Sequence, residues 1–237
     1  MKIDTQSPPA SRDVARRTRR ARRAFVMCSP KNGFVEIRME SWLEQSCAQV
    51  LERDPRVRWY RANPFTLDLS TGAIIEKKPP RKPPGAVYYT PDFVAGVDHL
   101  QVVIEVKPTA WVEEHAALFQ QVREVLLAKG MRFMVVTDEQ FSAAYLRNVQ
   151  LLNQYQAQAF DALPGWSTQV EAVLQTSQPM PVRELLQGLE PANHCLAAAV
   201  LSGVLRFDMQ RELFERMDFE VQPAFGSLSE FEVLRFD

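Results

Sequence analysis

Tyr88-Tyr89-Thr90-Pro91-Asp92-Phe93 is followed, with twelve residues intervening after Asp92, by Glu105-Val106-Lys107, the end of the run Val103-Ile104-Glu105-Val106-Lys107. The first stretch reads as a β-type run that Asp92 ends, the second as the next strand. Residues two apart on a strand point to the same side. Glu105 and Lys107 therefore share a face, with apolar Val106 turned away. If the two strands pair, Asp92 stands beside them. Two carboxylates and an ammonium then converge on a sheet that is otherwise apolar.

The surrounding residues sharpen this reading. Leu100 to Val106 is a nearly continuous apolar run, as expected of a buried strand, and an unpaired carboxylate inside one costs several kcal/mol. Lys107 could be the whole explanation, as one half of a structural ion pair, or both could belong to a site. Upstream, Ser41 precedes Trp42 to Leu51, whose apolar residues Trp42, Cys47, Val50 and Leu51 recur at roughly helical spacing. Glu44 lies three residues after Ser41, the spacing of a capping box. It can close the helix end, or it can point toward the sheet edge that carries Asp92. His99, His115 and His194 have no metal-ligand neighbour at suitable spacing. No Gly-rich phosphate loop and no Ser-His-Asp arrangement is visible in the sequence.

A chain of 237 residues with 46% apolar residues is expected to form one large or two small globular domains. No apolar run reaches the ~20 residues of a membrane span, and no secretory signal follows the start. The three cysteines, Cys28, Cys47 and Cys195, make neither a disulfide frame nor a zinc pattern, so a reducing cytoplasm is the expected location. The net charge of -1 conceals a strong asymmetry. Met1 to Arg23 carries eight basic and two acidic residues, whereas Trp166 to Asp237 carries five basic and eleven acidic ones. A basic head and an acidic tail point to a polyanion at one end and a protein at the other.

Three segments follow. Residues 1–24 form a basic arm in which Arg16, Arg17, Arg19, Arg20, Arg22 and Arg23 cluster. It has too little apolar surface to order itself, and is either a solvated tail or a phosphate-binding arm whose affinity depends on salt. Residues 25–162 read as an α/β domain. A hairpin turns at Lys31-Asn32-Gly33, then come a helix from Trp42, strands at Val57–Tyr60 and Phe65–Leu69, and a proline-rich basic loop whose Lys77, Lys78 and Lys82 are expected, with the arginines of the arm, to bind DNA. After the two motif strands, an amphipathic helix spans Trp111 to Lys129, a strand Arg132 to Thr137 and a helix Ala143 to Gln156. One central mixed sheet flanked by helices fits that order. Leu163-Pro164-Gly165 is expected to be a linker into residues 163–237. There, helical stretches at Thr168–Thr176, Val182–Gln187 and Ala192–Leu201, followed by Val204-Leu205-Arg206-Phe207-Asp208, predict a small α-rich winged helix-turn-helix. Ala192 to Leu201 contains no Arg or Lys to reach a base edge, so this module is expected to dock a protein or to act as a structural cap.

Asp92, twelve intervening residues and Glu105-Val106-Lys107, together with Ser41-x-x-Glu44, the Val57-to-Phe65 strand region and the winged C-terminal module, resemble the TnsA family. TnsA proteins are PD-(D/E)XK endonucleases of heteromeric cut-and-paste transposons, CRISPR-associated ones included. The resemblance covers about Phe25 to the C-terminus. It implies a restriction-endonuclease-like fold and a DNA endonuclease that nicks the 5′ strands at the ends of double-stranded transposon DNA. A TnsB-type transposase would process the 3′ strands, and a TnsC-type AAA+ ATPase would bind the C-terminal region. By matched position, Glu44, Asp92, Glu105 and Lys107 take the catalytic roles. Mg²⁺, with Mn²⁺ as substitute, would be held by Asp92, Glu105, the Val106 carbonyl and Glu44. Some members carry Gln where this chain has Glu105, and Asn63 stands before Pro64 where relatives often have Gln. Two alternatives stay open: another nuclease of the same superfamily, for restriction or junction resolution, or a catalytically inactive DNA-bridging adaptor.

Overall fold

The computed structural model describes residues 10–11, 25–81, 83–174 and 178–236. Arg16, Arg17, Arg19, Arg20, Arg22, Arg23 and Lys82 lie outside the described residues. Within them the chain is mixed α/β, with four sheets and six α-helices. None of these helices is long and apolar enough to cross a membrane. Two compact units are present. The first comprises residues up to Glu52, Arg56–Gln140 and Phe236; the second comprises Arg53–Pro55 and Phe141–Arg235.

The first unit begins with strands β1 (Phe25–Ser29) and β2 (Val35–Met39), an antiparallel hairpin. A 3₁₀ turn at Pro30–Asn32 connects them, closed by Gly33 at φ 79°, a left-handed conformation that glycine adopts without a Cβ penalty. Helix α1 (Trp42–Arg53) follows and buries Leu43, Cys47, Val50 and Leu51. The central sheet has the order β3-β7-β8-β9, built from β3 (Val57–Ala62), β7 (Phe93–Val97), β8 (Leu100–Val106) and β9 (Arg132–Val136). The first two pairings are antiparallel and β8–β9 is parallel, as a helical crossover between those strands requires. That crossover carries α2 (Ala116–Leu127). The helix expected from Trp111 starts five residues later, because two 3₁₀ turns, Thr109–Trp111 and Glu113–His115, occupy its predicted first turns.

A second small sheet, β5-β4-β6, comprises β4 (Thr66–Asp68), β5 (Ala73–Ile75) and β6 (Tyr88–Tyr89). Strand β5 has two exposed residues of three, so its sequence has no buried alternation to announce it. One face of the central sheet packs Val94, Val103 and Phe133 against Phe119, Val122 and Leu126 of α2 and Leu67 and Tyr89 of the small sheet. Full burial of such side chains stabilises by about 1.5–3 kcal/mol each. On the opposite face the hydroxyl of Tyr60 reaches Glu52 of α1 at 2.9 Å, and Tyr60 meets Phe93 edge-on at 6.3 Å between ring centroids.

The second unit contains α3 (Ala143–Ala159), α4 (Leu163–Val173), β10 (Met180–Pro181), α5 (Val182–Leu185), α6 (Ala192–Leu201), β11 (Leu205–Arg206) and β12 (Glu220–Pro223). Its three strands form an antiparallel sheet in the order β10-β12-β11. The division between units falls after Gln140, ahead of the boundary expected after residue 162. Asn148 of α3 accounts for this. It is fully buried, donates to the Met209 and Glu212 carbonyls at 3.0 and 2.7 Å, and accepts the Phe214 N–H at 2.8 Å. The expected linker Leu163-Pro164-Gly165 is instead the first turn of α4. Proline fits there because a helix start leaves its N–H groups unpaired in any case. The expected wing residues 204–208 supply only β11, and its partner β12 comes from Glu220–Pro223, an alternating stretch outside the predicted wing.

Candidate functional site

The antiparallel register of β7 and β8 sets the site. Phe93 stands opposite Ile104 and Val94 opposite Val103, so the position before Phe93 comes level with the one after Ile104. Asp92 therefore lies at the entrance to β7, beside Glu105, rather than at the end of a preceding strand as the sequence suggested. Asp92 Oδ2 accepts the Val106 backbone N–H at 2.8 Å. The carboxylate makes no other hydrogen bond among the described residues.

Glu105 is 5% exposed. Its Oε1 pairs with Lys107 Nζ at 2.9 Å, and its Oε2 accepts the Tyr89 hydroxyl at 2.6 Å. Tyr89 comes from β6 and holds the carboxylate from the small sheet. Burial, followed by the Glu105 charge, pushes the Tyr89 phenol far above its ordinary range and keeps it a neutral donor.

Glu44 enters from α1. A variant of the capping box is formed, with the carboxylate reaching one residue further back: Glu44 N–H donates to Ser41 Oγ at 3.1 Å, Ser41 Oγ–H donates to Glu44 Oε1 at 2.9 Å, and Glu40 N–H donates to Glu44 Oε2 at 2.8 Å. The same carboxylate lies within electrostatic reach of Asp92, Lys107 and Cys47. The hydrogen bonds show Glu44 at the helix end, and its charge is felt at Asp92.

Charge in this corner is unbalanced. Burial raises the Asp92 carboxyl well above the usual aspartate range, and the Glu105 and Glu44 carboxylates raise it further; the Val106 N–H and Lys107 only partly offset this. Burial alone would lower the Lys107 ammonium, but Glu105, Asp92 and Glu44 outweigh it and the net shift is upward. Cys47, fully buried, is raised by burial and by Asp92 and Glu44. Three carboxylates thus face one ammonium.

The structure brings Glu44, Asp92, Glu105 and Lys107 into one electrostatic neighbourhood. What it shows of Val106 is its N–H, given to Asp92. Lys77 and Lys78 are exposed on the loop after β5, with the Lys78 N–H donated to the Ser11 carbonyl at 3.2 Å. Tyr89 was not identified from sequence. Nothing in the Tyr88-Tyr89 pair says which ring turns toward Glu105; only the pairing of β6 with β4 does. Asn63 was noted only for its identity. Its backbone, at φ 46°, donates its N–H to the Asp92 carbonyl at 2.8 Å.

Among the described residues no group of three or more His, Cys, Asp or Glu side chains is gathered tightly enough to hold a metal as it stands. The donor chemistry nevertheless suits one. Carboxylate oxygens are hard ligands, Mg²⁺ needs only one or two of them with several waters, and the excess negative charge around Asp92 is what a divalent cation would neutralise. No family model matches the chain, and no curated protein sequence matches it.

Proposed function

We propose that this protein is a metal-dependent DNA endonuclease of TnsA type, acting on the 5′ strands at transposon ends. One observation carries the reading: Asp92, at the mouth of β7, is hydrogen-bonded to the amide of Val106, between Glu105 and Lys107 of the adjacent strand. A purely structural ion pair needs Lys107 and Glu105. It has no use for the further carboxylate of Asp92, which burial and the charges of Glu105 and of the helix-capping Glu44 push upward.

Asp92, Glu105 and Glu44 would hold Mg²⁺ or Mn²⁺, which when bound offsets charge on the phosphodiester and lowers the pKa of a coordinated water. The protein's own groups do the rest. Lys107 offers an ammonium to negative charge building at phosphorus, and Glu105 holds it in place. Tyr89, kept protonated, fixes the Glu105 rotamer. Asn63 and Val106 hold Asp92 by its backbone and side chain.

The finer fold reading accompanies this proposal. A mixed sheet with the carboxylates at one end of an antiparallel strand pair is compatible with a restriction-endonuclease-like domain. In the second unit the sequence α4, β10, α5, α6, β11, β12 follows winged-helix order. Its acidic composition disfavours phosphate contact and supports docking to a protein, here a TnsC-type AAA+ ATPase, with a TnsB-type transposase completing the 3′ chemistry. The proposed location is the bacterial cytoplasm, on the nucleoid when bound to DNA.

The test is nicking of double-stranded transposon-end DNA by the purified chain with such partners, with Mg²⁺ or Mn²⁺ and with chelator. Metal-dependent 5′-strand nicking that disappears in Asp92→Ala supports the reading. Undiminished nicking by that variant would remove it.

A further inference from the structure

The outer strand β3 bears a row of side chains that the proposed chemistry does not use. Arg61 pairs with Val94 and Trp59 with Gly96, so both lie on the α2 face of the sheet with Val94 and Val103. Two residues beyond Arg61, the Asn63 N–H meets the Asp92 carbonyl. Arg61 is thus a diagonal neighbour of Asp92, roughly 7–8 Å away by sheet geometry. At the far end of the row, Arg58, Trp59, Gly96, Asp98, His99, Leu100 and Gln101 line a cleft of about 310 Å³.

Trp59 is held there. Its ring packs against the core cluster on one side, and its five-membered edge occupies the space a Cβ at Gly96 would need: such a carbon would come within 2.3 Å of the indole Nε1. Only glycine at position 96 permits this pose. The ring is half-buried and its Nε1 donates no hydrogen bond among the described residues. Arg61 stands over it with its guanidinium carbon 5.7 Å from the ring centroid. Arg58 and Arg61 are exposed, and neither makes an ion pair among the described residues. Asp98, also in the cleft, is the one opposing charge among its lining residues.

We infer that this row is a binding track for a single DNA strand running away from Asp92, with an unpaired base stacked on Trp59 and phosphates taken by Arg61 and Arg58. A fixed aromatic ring flanked by guanidinium groups that make no ion pair among the described residues is the chemistry that grips a splayed nucleotide, with Arg61 moving off the ring to a phosphate; a paired base, stacked in its helix, would not enter the cleft. The inference rests on the nuclease reading for its biological sense, but not for its test.

The experiment is equilibrium binding, in chelator, of a labelled duplex carrying a short unpaired extension and of its blunt counterpart. The wild-type protein is compared with Trp59→Leu, Trp59→Phe, Arg61→Gln and Asp92→Asn, with melting temperatures recorded for each. Wild type is expected to prefer the extended duplex roughly five- to hundred-fold, the range a base–aromatic stack confers. Trp59→Leu should lose the preference and Trp59→Phe keep part of it. Arg61→Gln should weaken binding of the extended duplex and reduce its logarithmic salt slope by about 1. If Trp59→Leu fails to fold, Trp59→Phe and Arg61→Gln decide. No wild-type preference, or one that survives in both Trp59→Phe and Arg61→Gln undiminished, overturns the inference. Retained preference in a protein that never nicks would defeat the nuclease reading alone, and nicking without the preference would defeat this one alone.

Discussion

Two acidic corners lie in the first unit, and they are built in opposite ways. Glu52, 2% exposed, accepts Ser29 Oγ–H at 2.5 Å, the Lys31 N–H at 2.8 Å and the Tyr60 hydroxyl at 2.9 Å. Ser29 in turn takes the Asn32 side-chain amide at 2.8 Å, and Asn32 Oδ1 accepts the Tyr60 N–H at 3.1 Å. Donors there surround one carboxylate and tie the β1–β2 turn to α1 and β3. Asp92 receives a single N–H and faces two further carboxylates. A buried charge that is fully hydrogen-bonded stabilises its surroundings, whereas one left with like charges for neighbours costs stability. Carboxylates in the second condition cluster at functional sites, which is what the proposed reading of the Asp92 corner draws on.

That contrast can be broken in several ways. The largest effect is expected on catalysis. Asp92→Ala, Glu105→Ala and Lys107→Ala should each lower metal-dependent nicking by at least about 10²–10³-fold while retaining a cooperative melt. Glu52→Ala should do the reverse. It leaves Ser29, Tyr60 and the Lys31 N–H without their acceptor, and should cost about 3 kcal/mol in denaturant unfolding. An equal loss of stability at both corners would erase the distinction.

A subtler effect follows from pH. The Asp92 carboxyl is raised in the native state, so the folded protein binds a proton there that the unfolded chain has already released. Stability from this group is fully present below the ordinary aspartate value of about 3.9 and is lost as pH rises through the native value. In chelator, the wild type should therefore lose stability relative to Asp92→Asn as pH climbs from about 4 toward neutrality, and Mg²⁺ or Mn²⁺ should restore it. Differential melting curves across that range check this; parallel curves would show that the corner is already balanced. The smallest effect separates the two roles of Glu44. Glu44→Gln preserves the cap, since glutamine also completes a capping box, and should leave the melting temperature nearly unchanged while weakening metal dependence. Glu44→Ala should lose about 1 kcal/mol as well. A Glu44→Gln variant with normal metal response would leave Glu44 as a cap alone.

Much of this was legible in the residues themselves. Periodicity located α1, β8, β9 and α6, and the i, i+2 rule put Glu105 and Lys107 on one face. Local chemistry announced the Ser41–Glu44 cap and the turn at Gly33. These are interactions between residues a few positions apart, and short-range spacing encodes them. Strand β5 and the first turn of α4 were not legible, because exposed residues and a Leu-Pro-Gly sequence carry no periodic signal there.

What only the tertiary structure decided is long-range pairing. The sequence contained Asp92, Tyr89, Asn63, Trp59 and Gly96, but the β3–β7–β8 register alone sets Asp92 beside Glu105 and the Val106 amide, and Trp59 over Gly96. Strand register is chosen collectively, by the burial of whole faces, so no single spacing along the chain states it. The residue types were enough to predict that a charged corner exists; how far its charge is left unbalanced depends on which donors the folded sheets happen to bring to it.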